Sequence, residues 1–449
     1  MEEPPNVQHL SPDEIQAEAI FTSSIKRLES GQFSVALPFK HSHPILGDSK
    51  SGALKRFHSL KHRLSRDENL DKNYSDFMRD YHENKHMEAV PKNNQNTPYC
   101  YYIPHHCILR PESQTTKLRV VFDASARTTT GQSLNTSLYT GRKLQQEITQ
   151  ILIRARVHTF LFTADIKQMF GQIEIHHTDW DYLRIFWRFN RDLPVDEYRL
   201  CTVTYGTCCA PYQALRTLQH LAKIEGDRFP VAANVILNDT FVDDILTGAS
   251  SEDDTLHCQQ QVISLCAQGK FQLRKWASNL PSILQSVPTT DCLMSHVVQL
   301  DDDVDAKLKI LGMQWHPTQD QFSYNCHTPS NIATKRSVLS DMARIFDPLG
   351  FLSPVTFMAK HLMQLLWASG IGWDHPIPVQ TLTIWQRYQQ ELNCINELTI
   401  PRRITLDGHP TYELHSFRTA PKRDTPLPFI SVATQLVSFV ATLSWQNQR

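Results

Sequence analysis

At 449 residues, with 41% hydrophobic and 20% charged side chains, the chain has a globular composition and the length for two to four domains. A formal net charge of −1 excludes a uniformly cationic nucleic-acid coat, so any grip on phosphates must come from clustered Lys and Arg. Ten cysteines without a Cys-X-X-Cys spacing argue against a disulfide scaffold and against structural zinc, and no apolar run reaches the roughly 18–20 residues that span a bilayer.

The N-terminus is polar and acidic and carries no signal-peptide pattern, which leads to the expectation of a cytoplasmic protein without a membrane partner. Residues 1–97 mix basic and acidic side chains with spaced apolar ones and predict short helices in an N-terminal extension. Lys40, Lys50, Lys55, Arg56, Lys61, Arg63 and Arg66 gather there. Smaller basic clusters occur at Lys335-Arg336 and Arg402-Arg403; each reads equally well as a solvated face. Asn93 to Pro98 is a polar break. His105-His106-Cys107 and His176-His177 have metal-ligand chemistry but lack further ligands at useful spacing.

From 98 to 315 strand-like and helix-like segments alternate. Lys117-Leu118-Arg119 alternates basic and apolar residues, as a half-exposed strand would. Thr159 to Phe170 is a β-rich run that ends on one acid, Asp165. Gly206 permits close backbone approach, and Pro211 fits the first turn of a helix through Tyr212–Leu221. Cys208-Cys209 fit as small side chains without a redox role. Val235 to Gly248 reads as strand, tight turn, strand, with Asp243 and Asp244 at the turn. Asp301-Asp302-Asp303 predicts an exposed loop. Residues 316–404 read as helical. Ser353-Pro354 caps a helix whose apolar face includes Phe357, Leu362, Leu365 and Leu366 and which Gly370 ends. Leu382, Trp385, Tyr388, Leu392 and Ile395 form a second stripe at helical spacing.

The acids carry the chemical argument. A buried carboxylate is costly unless a cation compensates it, and two adjacent ones repel. Turn chemistry alone would explain Asp243-Asp244, and a helix N-cap would explain Asp165. Together they can place three carboxylates around two Mg²⁺ ions, with Mn²⁺ as the alternative. Two such metals about 3.5–4 Å apart clamp the attacking and leaving oxygens of a phosphoryl transfer.

Phe241-Val242-Asp243-Asp244 resembles the Tyr-X-Asp-Asp box of retroelement reverse transcriptases, and Phe162–Phe170 resembles their strand with the first catalytic Asp. Tyr101–His106, Leu118–Ser125, Thr202–Thr207, Leu273–Asn279 and Ala343–Gly350 are similar to the BEL/Pao branch of LTR retrotransposons. The resemblance covers residues 30–405. It implies an α+β right-hand polymerase: fingers and palm over 98–315 with an antiparallel palm sheet, then a helical thumb or connection, the Pao-type region, over 316–404.

The resemblance also implies roles. Asp165, Asp243 and Asp244 match the catalytic carboxylates, with the carbonyl of Ile166 as a further metal ligand. Arg119 would bind the incoming deoxynucleoside triphosphate, assisted by Lys117, and Asp123 would position template or nucleotide. Phe170 matches the steric gate that excludes ribonucleotides; an ordinary core Phe is the alternative. Tyr205 and Gly206 would line the nucleotide. Lys275 would protonate the leaving pyrophosphate, although Gly269-Lys270-Phe271 departs from the family's Gly-Phe. Leu311, Gly312 and Met313 fall in the primer grip, with Gly312 opening space for primer phosphates.

The implied partners are an RNA or DNA template with its primer. The implied activity is RNA-directed DNA polymerisation within a retroelement particle. Residues 405–449 resemble the start of a ribonuclease H-like domain, with Thr419 where the family has its first catalytic Asp. Ribonuclease H activity is not expected, because Arg449 comes too soon for that fold, and protease activity is not expected, because Asp-Thr-Gly and Asp-Ser-Gly are absent. Protease, ribonuclease H and integrase would lie on a longer parent polyprotein. The competing expectation is a decayed remnant that at most binds nucleic acid.

Overall fold

The computed structural model describes residues 10–42, 44–92, 97–109, 118–190, 192–293, 308–326 and 333–404. Lys117, Asp301–Asp303, most of the Asn93–Pro98 break and all of 405–449 lie outside the described residues. Two compact units emerge: Met1–Gln145 with Ile166–Asn238 and Gln260–Leu273, and Gln146–Asp165 with Asp239–Gln259 and Arg274–Arg449. Helices and strands are mixed throughout, giving the expected α+β class. Among the described residues no helix is long and apolar enough to cross a membrane.

The first unit opens on α1 (Pro12–Ser24), whose Ser11 and Glu14 form a reciprocal capping box. Then come β1 (Lys26–Arg27), β2 (Phe33–Val35), α2 (Lys50–Leu64), α3 (Glu68–Glu83), β3 (Met87–Ala89), β4 (His105–Leu109) and β5 (Leu118–Phe122). The chain passes through α4 (Ile148–Val157) and β6 (Phe160–Ile166), then returns with β7 (Ile173–Ile175), β8 (Arg184–Trp187), β9 (Asp196–Leu200), α5 (Ala210–Glu225) and α6 (Pro230–Asn238). β2 runs parallel to β7, β9 lies between β3 and β8, and β4 pairs antiparallel with β5. The first hundred residues thus supply the expected helices, and also strands of two or three residues, too short to leave a period-two pattern. α2 buries Ala53, Phe57, Leu60 and Leu64 at helical spacing, which leaves Arg56 and Arg63 exposed.

The second unit holds α4 and nearly all of β6, then β10 (Thr240–Phe241), β11 (Asp244–Ala249), the start of α7 (Glu252–Gln268), β12 (Leu273–Ser278), α8 (Pro281–Gln285), β13 (Leu308–Ile310), β14 (Met313–His316) and β15 (Gln321–Ser323). It ends with α9 (Lys335–Ala343), α10 (Ser353–Ala368), α11 (Val379–Leu392) and β16 (Thr399–Pro401). One sheet has the order β10-β11-β6-β12, with β11 antiparallel to both neighbours. A second, β13-β14-β15-β16, is antiparallel throughout. Ile151, Leu161, Leu246, Trp315 and Phe322 share one core; Val338, Leu362, Leu366, Trp385 and Tyr388 share another among the helices.

Four local expectations are corrected. Val235–Asn238 is the end of helix α6: Pro230 opens it, and Ala232, Val235 and Ile236 bury at i, i+3 and i+4, so only Thr240–Phe241 forms the first hairpin strand. Ser353 lies inside α10, where its hydroxyl donates to the Gly350 carbonyl at 2.6 Å, and Leu352 occupies the N-cap. The buried face of α10 is Ala359, Leu362, Met363 and Leu366, while Phe357 and Leu365 are exposed. Arg402 and Lys335 are buried, so each of the smaller basic clusters loses one member to the interior while Arg336 stays exposed and Arg403 half-buried.

Candidate functional site

The three acids all fall in the second unit, and β-pairing brings them together. In the β6–β11 register Asp165 stands opposite Asp244, and Ala164 opposite Ile245. Opposed residues share a sheet face with Cβ atoms roughly 4.5–5.5 Å apart. The β10–β11 hairpin closes with Phe241 opposite Asp244, leaving Val242-Asp243 as a two-residue loop. Such loops need left-handed backbone, normally supplied by Gly or Asn. Here Val242 takes φ +58, a strained conformation for a β-branched residue that costs on the order of 1–3 kcal/mol. The strain places the Asp243 carboxylate at the hairpin tip.

Electrostatics follow from this crowding. Burial, and then the charge of Asp165, push the Asp243 carboxyl above its usual range. Asp244 is pushed up to about 7 by burial, reinforced by Asp243 and Asp165. Asp165 is buried and already has cations: Arg274 Nε donates to Oδ1 at 2.8 Å and Lys275 Nζ to Oδ2 at 2.9 Å. Consecutive strand residues normally face opposite ways. Lys275 adopts φ +55, and that kink lets both basic side chains reach one carboxylate.

Sequence reasoning named Lys275 but missed Arg274; the Arg-Lys pair closing a β-rich run was the available signal. It also missed Asp239. This buried acid accepts from Arg154 Nε at 2.8 Å and the Thr247 hydroxyl at 2.8 Å, while its carbonyl accepts the Leu246 N–H at 3.0 Å. Asp239 fastens the base of the hairpin that carries Asp243 and Asp244.

The donor chemistry suits a hard divalent cation, since carboxylates with raised pKa values gain most from one. Asp165 is turned to its two basic partners, however, and among the described residues no three His, Cys, Asp or Glu side chains converge closely enough to hold a metal ion. Ligation by the trio requires Asp165 to exchange Arg274 and Lys275 for the ion. Ile166, proposed through its carbonyl, follows on β6 with its side chain fully buried.

The remaining nucleotide-binding candidates that are described lie in the first unit. Arg119 is exposed on β5, opposite Ile108. Asp123 is paired with Arg56 at 2.6 Å. Tyr205 is half-buried, its ring 5.3 Å from Phe122 and 6.5 Å from Phe170, and burial raises its hydroxyl pKa well above the usual range. Gly206 adopts φ +103, and a Cβ there would lie 1.9 Å from the Phe122 carbonyl oxygen, so the close backbone approach it permits is to its own chain. Asn135 braces this loop, taking the Cys208 N–H at 2.8 Å and donating to the Gly206 carbonyl at 3.0 Å. Burial pushes the Cys209 thiol up to about 12. Lys270 occupies the left-handed position after α7, with Phe271 N–H bonded to the Cys266 carbonyl and Lys270 N–H to that of Ala267, a Schellman cap.

In the second unit Leu311 and Gly312 form the β13–β14 turn at φ +45 and +88. Leu311 and Met313 are buried in the core. A Cβ at Gly312 would meet the Phe346 ring at 2.5 Å, so that ring fills the space expected to be open for primer.

Comparison with known proteins adds the following. Residues 334–425 match the family model of the Pao retrotransposon-like RNaseH-like domain. The match starts within 316–404, the span read above as a helical thumb or connection, and runs past it into the span read as the start of a ribonuclease H-like domain. No curated protein matches. Two solved structures are similar at 12% identity. The foamy viral protease-reverse transcriptase dRH in complex with ds DNA gives a TM-score of 0.47 over 70% of this chain and 46% of that one. The foamy viral protease-reverse transcriptase in complex with RNA/DNA hybrid gives 0.46 over 72% and 36%. The chain thus spans less than half the length of either.

Proposed function

We propose that this chain is the polymerase part of a retroelement polyprotein, an RNA-directed DNA polymerase of right-hand architecture that extends a primer 3′ end with deoxynucleotides. The observation that carries the reading is the pairing of Asp165 on β6 with Asp244 on β11, beside Asp243 on a strained hairpin tip. The Pao match supports a retroelement origin. Asp165, Asp243 and Asp244 would hold two Mg²⁺ ions, which supply charge neutralisation for phosphoryl transfer when bound. Asp165 would be the exchange point: holding an ion would cost it its ion pairs, and the Lys275 ammonium so freed would be the proton donor to the leaving pyrophosphate. General-acid help of that kind is worth roughly a hundred- to ten-thousand-fold. Arg119, with Lys117, orients the triphosphate through charge-assisted hydrogen bonds, and Phe170 rejects the 2′-hydroxyl.

Primer extension on a homopolymer template tests this. The parent should give a magnesium-dependent product that Asp243→Asn abolishes, and Phe170→Val should admit ribonucleotides. The engagement of Asp165 by both Arg274 and Lys275 favours a second reading, a catalytically silent remnant. Absence of any Asp243-dependent product would leave only that one.

A further inference from the structure

A cleft of ≈ 230 Å³ opens in the first unit between α2 and β4. Arg56, Ser59, Leu60 and Arg63 line it from α2, and His105 and His106 from β4. The helical residues fall at i, i+3, i+4 and i+7, a single stripe. Leu60 is buried, while both arginines are exposed. His105 is a neutral, saturated part of the wall. Its Nε2–H donates to the Phe186 carbonyl at 2.9 Å, its Nδ1 accepts from the Tyr74 hydroxyl at 2.5 Å, and burial holds its pKa down to about 4. His106 keeps a buried Nδ1 that has no hydrogen-bond partner among the described residues.

The charge balance in the cleft is positive. Arg56 is paired with Asp123 at 2.6 Å. Arg63 has no carboxylate partner among the described residues. Lys61, on the same helix, keeps its ammonium 3.8 Å from the Trp187 ring centroid. A guanidinium left without a carboxylate at the mouth of a largely apolar cleft is suited to an oxyanion, which it binds bidentately.

We infer that this cleft is a phosphate-binding site centred on Arg63, with Arg56 and His106 beside it, for a phosphodiester of a nucleic-acid strand or a free phosphate. The inference does not depend on the metal chemistry proposed above. Each phosphate contact to a single strand contributes about 0.7 to the slope of log affinity against log salt. The full chain is titrated with a labelled single-stranded oligodeoxynucleotide across a salt series, and separately with inorganic phosphate by calorimetry. Arg63→Ala should lower the slope by about 0.7, and Arg63→Glu should weaken binding further. His106→Ala should give a smaller loss in the same direction, and Arg387→Ala, on α11, should change nothing.

A lowered slope identifies a strand as the source of the phosphate. An unchanged slope with phosphate binding lost in Arg63→Glu identifies the free ion. If neither the slope nor phosphate binding responds to Arg63→Glu or His106→Ala, the site does not exist. Both readouts are independent of primer extension, so failure of the polymerase reading leaves them interpretable.

Discussion

Asp244 links the geometry of the hairpin to a measurable pH dependence. Its carboxyl is pushed from 3.8 to about 7, first by burial and then by Asp243 and Asp165. A carboxyl that holds its proton more tightly in the folded chain than in the unfolded one contributes stability at low pH. That stability is lost as pH rises from the unfolded value to the folded one. Roughly three pH units at 1.36 kcal/mol each set a ceiling near 4 kcal/mol; solvent at the half-buried turn screens part of it, leaving roughly 2 kcal/mol. Asp244→Asn keeps the shape and removes the charge. With chelator present, parent and variant should unfold at similar urea concentrations at about pH 3.5, below the unfolded pKa, and the variant should be the more stable by roughly 2 kcal/mol at about pH 8. The buried Trp276 and Trp315 of the second unit provide the fluorescence signal. An equal pH dependence in the two proteins would refute the electrostatic account of the turn. Magnesium added at the higher pH should stabilise the parent more than the variant.

Three further perturbations follow from backbone and ion-pair geometry. Val242→Gly relieves the left-handed valine and should raise stability by about 1 kcal/mol in the same urea assay. Gly206→Ala drives a Cβ into the Phe122 carbonyl and should cost roughly 3 kcal/mol or more, read as rapid proteolysis of the first unit. Arg402 is fully buried; it grips Asp320 through Nε at 2.6 Å and Nη2 at 2.7 Å, and donates to the carbonyls of Ala155, His158 and Thr159. Arg402→Ala leaves those acceptors buried and should destabilise the second unit by about 3–5 kcal/mol, with Arg402→Lys recovering only part, as measured by urea unfolding.

What was legible in the sequence had long or unusual local signatures. Strand β6 is seven residues of mostly apolar side chains around a single acid, and the Asp-Asp turn interrupts an otherwise apolar stretch. Helix α5 announces itself with Pro211, and Gly370, at φ +69, ends α10 as read. Val235–Leu237 misled because three β-prone residues are also the last turn of a helix whose period begins at Ala232. The partners of Asp165 were hidden because a left-handed residue inside β12 breaks the alternation that pattern reading assumes. Arg402 beside Arg403 looked like surface charge, since its neutralising partner Asp320 lies far away in sequence.

Strand β16 has a practical consequence for anyone dissecting this protein. It completes a sheet begun at Leu308, pairing Phe322 with Ile400, and Arg402 then anchors that edge to the end of α4. Helices α9 to α11 are therefore a closed excursion between neighbouring strands. A fragment cut at residue 334, where the family match starts, would carry off one strand of a shared sheet and should be insoluble or molten, whereas excising the helices between Tyr324 and Thr399 would keep all four strands but strip Leu352 and its apolar neighbours from the core beneath them.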